Sequence, residues 1–312
     1  MPKPLKPLAL VPGSTIAVVA PASAAKEERI RRGCENLGEL DYQVIESVTA
    51  REPDGYFSAT LETRLADLQS ALTRKDVRGV FCSRGGYGSA ELVDKLKTAR
   101  MKQPKIFCGF SDLTSLQIFL WQKLRWVTFY GPLVAGGFDA GANATGGYDP
   151  DTFMCAMTAT HSAWSTPLGG ETMARGSASG ILLGGCITLI ETSIGTPWEL
   201  DTRGAILVLE DRGLKPYQLD RMLLHLIQAG KFKGVLAIIL GEFPDCEVPE
   251  GSTVSVKDVC KRLLRPLKIP IIYGAPVGHT TRPMLTLPLG IRARLRATGE
   301  GRLDILEPAV RA

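Results

Sequence analysis

Residues 105–124 read KIFCGFSDLTSLQIFLWQKL, and this stretch decides the fold. The apolar run at 106–108 is typical of a short buried strand. A tight turn begins at Gly109, and apolar residues at helical spacing follow over 113–124. The sequence therefore predicts a strand that turns sharply into a helix, with Ser111 at the turn.

Ser111 has two interpretations. A hydroxyl at a strand-to-helix turn can be a nucleophile, because the turn lifts it out of the sheet and the helix N–H groups face its target. Gly109 suits such a turn, although Leu113 stands where the G-x-S-x-G pattern has its second glycine. A serine before a helix is also a favoured N-cap. These residues alone leave both interpretations open.

The chain has 312 residues, of which 45% are hydrophobic and 22% are charged. This composition is typical of a soluble globular enzyme, and the length favours two domains. The net charge of +5 is mild, and the basic residues are scattered. We therefore expect no nucleic acid partner, because nucleic-acid-binding surfaces concentrate Lys and Arg.

The seven cysteines show no C-x-x-C spacing, and Cys82, Cys108 and Cys186 lie in apolar runs. An odd number without paired spacing favours a reducing compartment. The stretch 1–13 is broken by prolines and lacks the apolar centre of a signal peptide. No apolar run is long enough to cross a bilayer. The expected location is the cytoplasm, without a membrane partner.

Apolar runs and helix-favouring segments alternate through the first half of the chain. Short strands are predicted at 15–20, 42–45, 77–82, 106–108 and 127–130, and helices at 26–37, 60–72, 90–97 and 113–124. Such alternation predicts a parallel sheet with helices on both faces, whose ligands bind at the carboxyl ends of the strands. The expected fold class for this half is therefore α/β.

A glycine-rich turn, SRGGYGS at 83–89, follows the third predicted strand. It is neither a P-loop nor a G-x-G-x-x-G fingerprint, because the required spacing is missing. Its glycines either bring backbone N–H groups close to a ligand or adopt positive φ in an ordinary turn. Arg84 in this turn either binds an anion or is solvated. The turn and Ser111 both follow strands, so both should lie on one edge of the sheet.

Glycine, alanine and asparagine dominate 136–147, which predicts a mobile loop or linker. We place an N-terminal domain at 1–135, a linker or mobile segment at 136–179 and a C-terminal domain at 180–312. Strands dominate the last of these, and one of them is a single alternating strand over 285–297. The C-terminal part is therefore expected to be a separate, mixed α/β domain.

Three histidines are present, and His279 lies on a loop after a predicted strand, where it can face a cleft. His225 lies within an amphipathic helix and is interpreted as structural, and His161 lies in a polar stretch. Glu210 ends an apolar strand and either joins an ion network or serves a site. Without an H-E-x-x-H motif or clustered cysteines, we expect no metal and no cofactor.

Ser111, Glu210 and His279 occur in the order hydroxyl, acid, imidazole, each at a strand end or on a loop after one. That order suits an acyl-transfer triad. In such a triad the histidine takes the hydroxyl proton, and the acid fixes the tautomer and stabilises the imidazolium. A lone histidine on a loop is also common without a catalytic role, so the residues alone leave both readings in place.

Several motifs resemble the LD-carboxypeptidases, the muramoyltetrapeptide carboxypeptidases of serine peptidase family S66. The matching stretches run in the family's order over nearly the whole chain. They are AVVAPAS near the start, RGGYGS at 84–89, GFSDLT at 109–114, GP at 131–132, LLGGCITLIETSIGTP at 182–197, LVLEDRGLKPYQLDRML at 207–223, LGEF at 240–243, and PVGH with LPLG at 276–290. Each is weak alone, and together they are highly specific.

The resemblance implies a flavodoxin-like N-terminal domain and a β-rich C-terminal domain, with the site between them and usually a homodimer. It implies Ser111 as nucleophile, Glu210 as acid and His279 as base. It also implies an oxyanion hole made by the backbone N–H groups of Gly86 and Asp112. The implied activity is release of the terminal D-alanine from a murein tetrapeptide, in peptidoglycan recycling.

Two positions bear on how such a substrate is held. Family members often have His before the Gly-Pro pair, where this chain has Tyr130, and that departure is expected to concern any substrate contact made there and not the triad. Arg84 is the candidate for binding the free carboxylate of the peptide, because it opens the glycine turn on the same sheet edge as Ser111. Backbone amides at a helix N-terminus are the alternative anion site.

Three other functions stay open at this point. A microcin-immunity-type peptidase of the same superfamily would cleave an aminoacyl-nucleotide-like amide. An α/β-hydrolase esterase shares the order of the triad residues and predicts one continuous sheet that carries all three. A non-enzymatic nucleotide-binding module would be stabilised by nucleotide without turnover.

Overall fold

The computed structural model of the chain describes residues 3–46 and 54–312. Its strands are β1 (Thr15–Val19), β2 (Gln43–Glu46), β3 (Val77–Cys82), β4 (Ile106–Gly109), β5 (Thr128–Tyr130), β6 (Trp164–Pro167), β7 (Glu171–Ala174), β8 (Gly176–Cys186), β9 (Ala205–Glu210), β10 (Ala237–Leu240), β11 (Ile271–Tyr273), β12 (Leu287–Leu289), β13 (Arg292–Ala297) and β14 (Arg302–Ile305). Its α-helices are α1 (Glu27–Gly38), α2 (Leu61–Thr73), α3 (Ala90–Val93), α4 (Thr114–Leu124), α5 (Pro150–Thr158), α6 (Ile187–Thr192), α7 (Pro216–Gln228) and α8 (Val256–Leu264). Short 3-10 turns lie at Thr98–Arg100, Ser111–Leu113 and Arg265–Leu267.

Within the described residues, six strands form the first sheet, in the order β12-β5-β4-β3-β1-β2. The strands from β5 to β2 pair in parallel, and β12 pairs antiparallel to β5 at the edge. Helices α1 to α4 each connect one parallel strand to the next in the chain. The alternation of strand and helix thus gives the predicted parallel sheet, and the α/β fold class is confirmed.

The second sheet is mixed and has eight strands in the part of the chain that the structure describes, in the order β6-β14-β13-β8-β9-β10-β11-β7. Its central strands β8 to β11 are parallel, and the flanking strands pair antiparallel. β9 is buried along its whole length and has Glu210 at its carboxyl end. The expected β-rich, mixed C-terminal architecture is therefore confirmed.

The predicted single strand over 285–297 is two strands in the structure. β12 pairs with β5 of the first sheet, with Leu287 opposite Tyr130, and β13 pairs with β8 of the second. The chain turns between them at Gly290, whose φ of +95° favours glycine. A Cβ there would also stand 2.7 Å from a ring carbon of Trp121. The prediction of a single strand is therefore wrong. The apolar alternation continues through 285–297, although the chain passes from one sheet to the other.

The segment 136–179, predicted as a linker or mobile segment, contains α5, β6 and β7. α5 begins after its N-cap Asp149, whose carboxylate accepts a hydrogen bond from the Thr152 N–H at 2.7 Å. β6 and β7 lie at the two edges of the second sheet. This segment therefore has regular secondary structure, while the domain boundaries at 135 and 180 stay a prediction.

A buried arginine fixes the glycine turn after β3. Arg64 on α2 is 1% exposed. Its guanidinium donates to the carbonyl oxygens of Ala59, Pro21 and Gly88 at distances between 2.9 and 3.1 Å, and it pairs with Glu91 at 2.7 Å. These carbonyl oxygens belong to the loop before α2, the loop after β1 and the glycine turn. Because buried carbonyl oxygens need donors, Arg64 holds the three segments together.

We expect Arg64→Met to lower the free energy of unfolding by about 2–4 kcal/mol, because three buried carbonyl oxygens lose their charged donor. Urea unfolding of the full chain measures this value. Arg74→Met is the matched control, since Arg74 pairs with Asp76 at the surface and such pairs contribute little. An Arg64→Met variant as stable as the wild type would contradict the bridging role.

Candidate active site

Ser111 lies inside a sharp turn between β4 and α4. β4 ends at Gly109, and the 3-10 turn Ser111–Leu113 follows after Phe110, which occupies the N-cap position. Ser111 has a φ of +64°, a left-handed conformation that is strained for a residue with a Cβ. Its N–H donates to the Tyr130 hydroxyl oxygen at 3.3 Å. The serine is therefore held in the turn itself and is not the N-cap.

The glycine turn packs directly against Ser111. A Cβ on Gly85 would stand 2.9 Å from the Cβ and 3.1 Å from the Oγ of Ser111, and 3.4 Å from the Asp112 nitrogen. Gly86 has a φ of +98°, and a Cβ on it would stand 2.4 Å from the Oγ of Ser23. Both positions therefore require glycine, which lets the backbone of the turn approach the serine closely.

The Asp112 side chain holds the start of α3. Its Oδ2 accepts the Ser89 N–H at 2.8 Å, and its backbone oxygen accepts the Ser89 hydroxyl at 2.6 Å. Burial raises the pKa of the Asp112 carboxyl, and the hydrogen bonds from Ser89 oppose that rise. The carboxyl group thus has a structural task, and the backbone nitrogen of the same residue lies beside the glycine turn.

Glu210 is buried and pairs with His279, whose side chain is partly exposed. Oε2 of Glu210 accepts hydrogen bonds from the backbone N–H and from Nδ1 of His279, both at 2.8 Å. Oε1 accepts a hydrogen bond from the Tyr130 hydroxyl. A Cβ on Gly278 would stand 2.3 Å from Cδ of Glu210, so glycine is required there. Because an ionised carboxylate only accepts, Nδ1 carries the proton and Nε2 is the basic nitrogen.

Ser111 and His279 line one cleft of about 730 Å³, together with the glycine turn. The walls come from both sheets, since Ser111 follows β4 and His279 follows β11. The Phe110 ring packs edge-on against the His279 ring, with 5.1 Å between centroids. A smaller pocket of about 220 Å³ also borders Phe110 and His279. Two sheets thus contribute to the site, and the single continuous sheet of an α/β-hydrolase esterase is not found in the described chain.

Basic side chains predominate among the charged groups of the cleft. Arg84 is exposed and donates to the Ala24 carbonyl oxygen at 2.7 Å. Asp211 accepts hydrogen bonds from the backbone N–H and the hydroxyl of Thr188 at 3.0 and 2.7 Å. Burial raises the pKa of Asp211, and the neighbouring charge of Glu210 adds to the rise. The charged residues that line the cleft are Lys26, Arg29, Arg84, Asp211 and Arg212.

The other two histidines do not line this cleft. His225 on α7 is exposed, and its Nδ1 lies 2.9 Å from an oxygen of Glu191 on α6. His161 is exposed between α5 and β6. The interpretation of His225 as structural thus agrees with a helix-to-helix contact at the surface.

The seven cysteines all lie in the described residues and are free thiols. Burial raises the pKa of Cys82, Cys108 and Cys186 well above the usual value for a thiol, so these groups stay protonated. Over residues 3–46 and 54–312, no group of three His, Cys, Asp or Glu side chains is placed to hold a metal ion. No helix in those ranges is both long and apolar enough to cross a membrane.

Sequence comparison places both halves of the chain in one family. The LD-carboxypeptidase N-terminal domain matches residues 16–131, and the C-terminal domain matches residues 179–295. A probable murein peptide carboxypeptidase of Bacillus subtilis is 31% identical over 93% of this chain and 91% of its own length. The murein tetrapeptide carboxypeptidase of Pseudomonas aeruginosa is 29% identical over 85% of this chain and 87% of its own.

Solved structures agree with this assignment. The muramoyltetrapeptide carboxypeptidase of Oxalobacter formigenes is 30% identical, with a TM-score of 0.83 over 94% of this chain and 99% of that one. MccF in complex with glutamyl sulfamoyl guanosine is 24% identical and shares the fold, with a TM-score of 0.89 over 98% and 100% of the two chains. The protein described here is a hydrolase of the carboxypeptidase class. It belongs to the LD-carboxypeptidase family.

On the hypothesis that Ser111 is the nucleophile, we expect Gly85→Ala to lower kcat for peptide hydrolysis by about a hundredfold, because the added methyl group displaces Ser111 and small displacements of reacting groups are costly. Gly38→Ala at the end of α1 is the matched control, since a Cβ there meets nothing within 4 Å. Steady-state kinetics on murein tetrapeptide measures both. A fully active Gly85→Ala variant would show that the turn does not press on Ser111 in solution.

Proposed function

We propose that the protein is a serine carboxypeptidase that releases the terminal D-alanine from a murein tetrapeptide. Ser111 is the nucleophile, His279 the general base and Glu210 the acid that orients the histidine. The observation that carries the proposal is the 2.8 Å contact between His279 and Glu210, in the cleft where Ser111 sits at a strained turn. The names of the relatives from Bacillus subtilis and Pseudomonas aeruginosa support the substrate.

The reaction follows from these roles. Nε2 of His279 takes the hydroxyl proton as Oγ of Ser111 attacks the carbonyl carbon of the bond before D-alanine. The buried charge of Glu210 stabilises the imidazolium that forms. The imidazolium then gives its proton to the leaving amine of D-alanine. Water, activated by the same histidine, hydrolyses the acyl-enzyme and regenerates the free hydroxyl.

The backbone N–H groups of Gly86 and Asp112 form the proposed oxyanion hole. The support is the close packing of the preceding residue, Gly85, against Ser111. A Cβ on Gly85 would stand only 3.4 Å from the Asp112 nitrogen. The two N–H groups thus belong to segments that meet at the nucleophile. A single donor of this kind typically contributes about a hundred- to a thousandfold in kcat.

Arg84 is the proposed partner of the terminal carboxylate. It lines the cleft next to Gly85, and an anion taken out of water needs a cation or several N–H donors. Its guanidinium donates one hydrogen bond, to the Ala24 carbonyl oxygen, and keeps further N–H donors for an anion. Backbone amides near Ser111 are the competing anion site.

We also propose that the enzyme is a cytoplasmic homodimer. The seven free thiols support a reducing compartment. The resemblance to the LD-carboxypeptidases supports the dimer.

A microcin-immunity-type activity is the second candidate. The observation in its favour is the fold shared with MccF, and an MccF-like protein of Bacillus anthracis is 27% identical with a TM-score of 0.85 over 96% of this chain and 99% of that one. Relatives at about the same identity or above carry carboxypeptidase names, which favours the murein substrate.

We expect the purified protein to release D-alanine from murein tetrapeptide and to leave aspartyl sulfamoyl adenosine, the ligand of a solved MccF complex, intact, as measured by mass spectrometry of the products. Ser111→Ala and His279→Ala should each lower kcat at least about a thousandfold. The double variant should lose little more, because triad residues act as a unit.

Ser252→Ala, in an exposed loop, is the control for these variants and should keep full activity. Near-normal turnover by a folded Ser111→Ala variant would remove the nucleophile assignment. Faster hydrolysis of aspartyl sulfamoyl adenosine than of the tetrapeptide would favour the second candidate.

We expect the wild type to cleave the free tetrapeptide and to spare its C-terminal amide, because the amide offers no anion to the cleft. Arg84→Ala should then raise KM for the free acid about tenfold, the size of one lost charged hydrogen bond. Arg100→Ala, an exposed arginine outside the cleft, is the matched control. Equal cleavage of acid and amide by the wild type would contradict a carboxylate pocket of any kind.

A further inference from the structure

Tyr130 is buried behind the cleft and touches two members of the proposed triad. It is the last residue of β5 and has no exposed surface. Its hydroxyl oxygen accepts the Ser111 N–H at 3.3 Å, and the same hydroxyl donates to Oε1 of Glu210. One side chain of the first sheet thus reaches the nucleophile of that sheet and the acid of the other.

The ring of Tyr130 is packed tightly. The Phe110 ring lies edge-on to it, with 6.2 Å between centroids. A Cβ on Gly185 would stand 3.1 Å from Cε2 of Tyr130, and Leu287 is its partner across the strands. Because the ring is confined in this way, the hydroxyl has a fixed position relative to both neighbours.

The direction of the hydrogen bond to Glu210 follows from the surrounding titratable groups. Burial, with the charge of Glu210, raises the pKa of Tyr130 well above its usual value, so the hydroxyl keeps its proton and donates it. The other groups near the carboxylate are His279, Asp211 and Cys186. Asp211 is held by Thr188, and burial raises the pKa of the Cys186 thiol.

We infer that Tyr130 is a positioning residue that fixes the Glu210 carboxylate and the Ser111 backbone relative to each other. With Oε1 held by the tyrosine, the carboxylate cannot rotate and Oε2 stays aligned with His279. The same hydroxyl oxygen gives the Ser111 N–H an acceptor in its left-handed conformation. The inference rests on the proposed serine mechanism and adds a link from one sheet to the other that the triad alone does not contain.

Tyr130→Phe tests this role, because it removes the hydroxyl and keeps the packed ring. We expect kcat on murein tetrapeptide to fall about ten- to a hundredfold, the range that loss of one hydrogen bond to a charged group allows. KM should change less than about twofold, since Tyr130 is buried behind the cleft and does not contact the bound substrate. Tyr148→Phe is the matched control, a buried tyrosine that packs against Phe138 and Phe153 outside the cleft lining.

The pH profile separates positioning from a merely structural role. Without the hydrogen bond from Tyr130, the negative charge of Glu210 is less neutralised, so it stabilises the protonated form of His279 more strongly. The acid limb of kcat/KM should therefore move to higher pH in Tyr130→Phe and stay in place in Tyr148→Phe. In a Glu210→Gln background, Tyr130→Phe should cost much less than in the wild type, because the charge it serves is gone.

The outcomes are distinguishable. A folded Tyr130→Phe variant with less than a twofold change in kcat and an unmoved acid limb overturns the inference. So does an undiminished cost of Tyr130→Phe in the Glu210→Gln background. Neither result touches the proposed function, which is tested separately by Ser111→Ala and by the comparison of substrates. Thermal unfolding of each variant shows that the loss is not one of folding.

Discussion

One buried carboxylate joins the two sheets of this protein. Glu210 ends a strand of the second sheet, and its oxygens accept two hydrogen bonds from His279 and one from Tyr130 of the first sheet. A buried charge without such donors is costly, so the end of β5 and the loop that carries His279 are constrained together. Gly278 leaves the space that this approach requires. The carboxylate with the proposed role in the chemistry therefore also aligns the two halves of the chain.

The sequence predicted the first sheet well, because each strand-helix unit carries its own apolar pattern and its own turn. β3 and α2 appear within one or two residues of the predicted segments. The crossing at Gly290 escaped prediction for a physical reason. An alternation of apolar and polar residues indicates only that one face of a strand is buried. Both sheets bury one face of their strands, so the pattern of 285–297 does not show that the chain passes from one sheet to the other.

Candidates for the proposed site could be found in the sequence where polar side chains lie at strand ends. Glu210 and His279 were candidates because the sequence itself shows a carboxylate at the end of one apolar strand and a histidine on the loop after another. Tyr130 was noted only as a departure from the family pattern, because an aromatic residue ending an apolar run is typical of any buried strand and its hydroxyl meets its two partners only in the folded chain. Gly85 was likewise hidden among the glycines of its turn, because the sequence does not say which of them faces Ser111.

Fold similarity alone does not select the substrate, since MccF superposes with a TM-score of 0.89 and the carboxypeptidase of Oxalobacter formigenes with 0.83. The selection has to come from the cleft. Its basic lining attracts an anion, but an aminoacyl nucleotide analogue and a peptide both carry one. What differs is the distance of the anion from the reacting carbon. Arg84 precedes Gly85, which packs on Ser111, and it lines the same cleft as this proposed nucleophile. A terminal carboxylate lies one residue from the scissile bond, so a cation that lines the cleft of Ser111 suits the proposed carboxypeptidase activity.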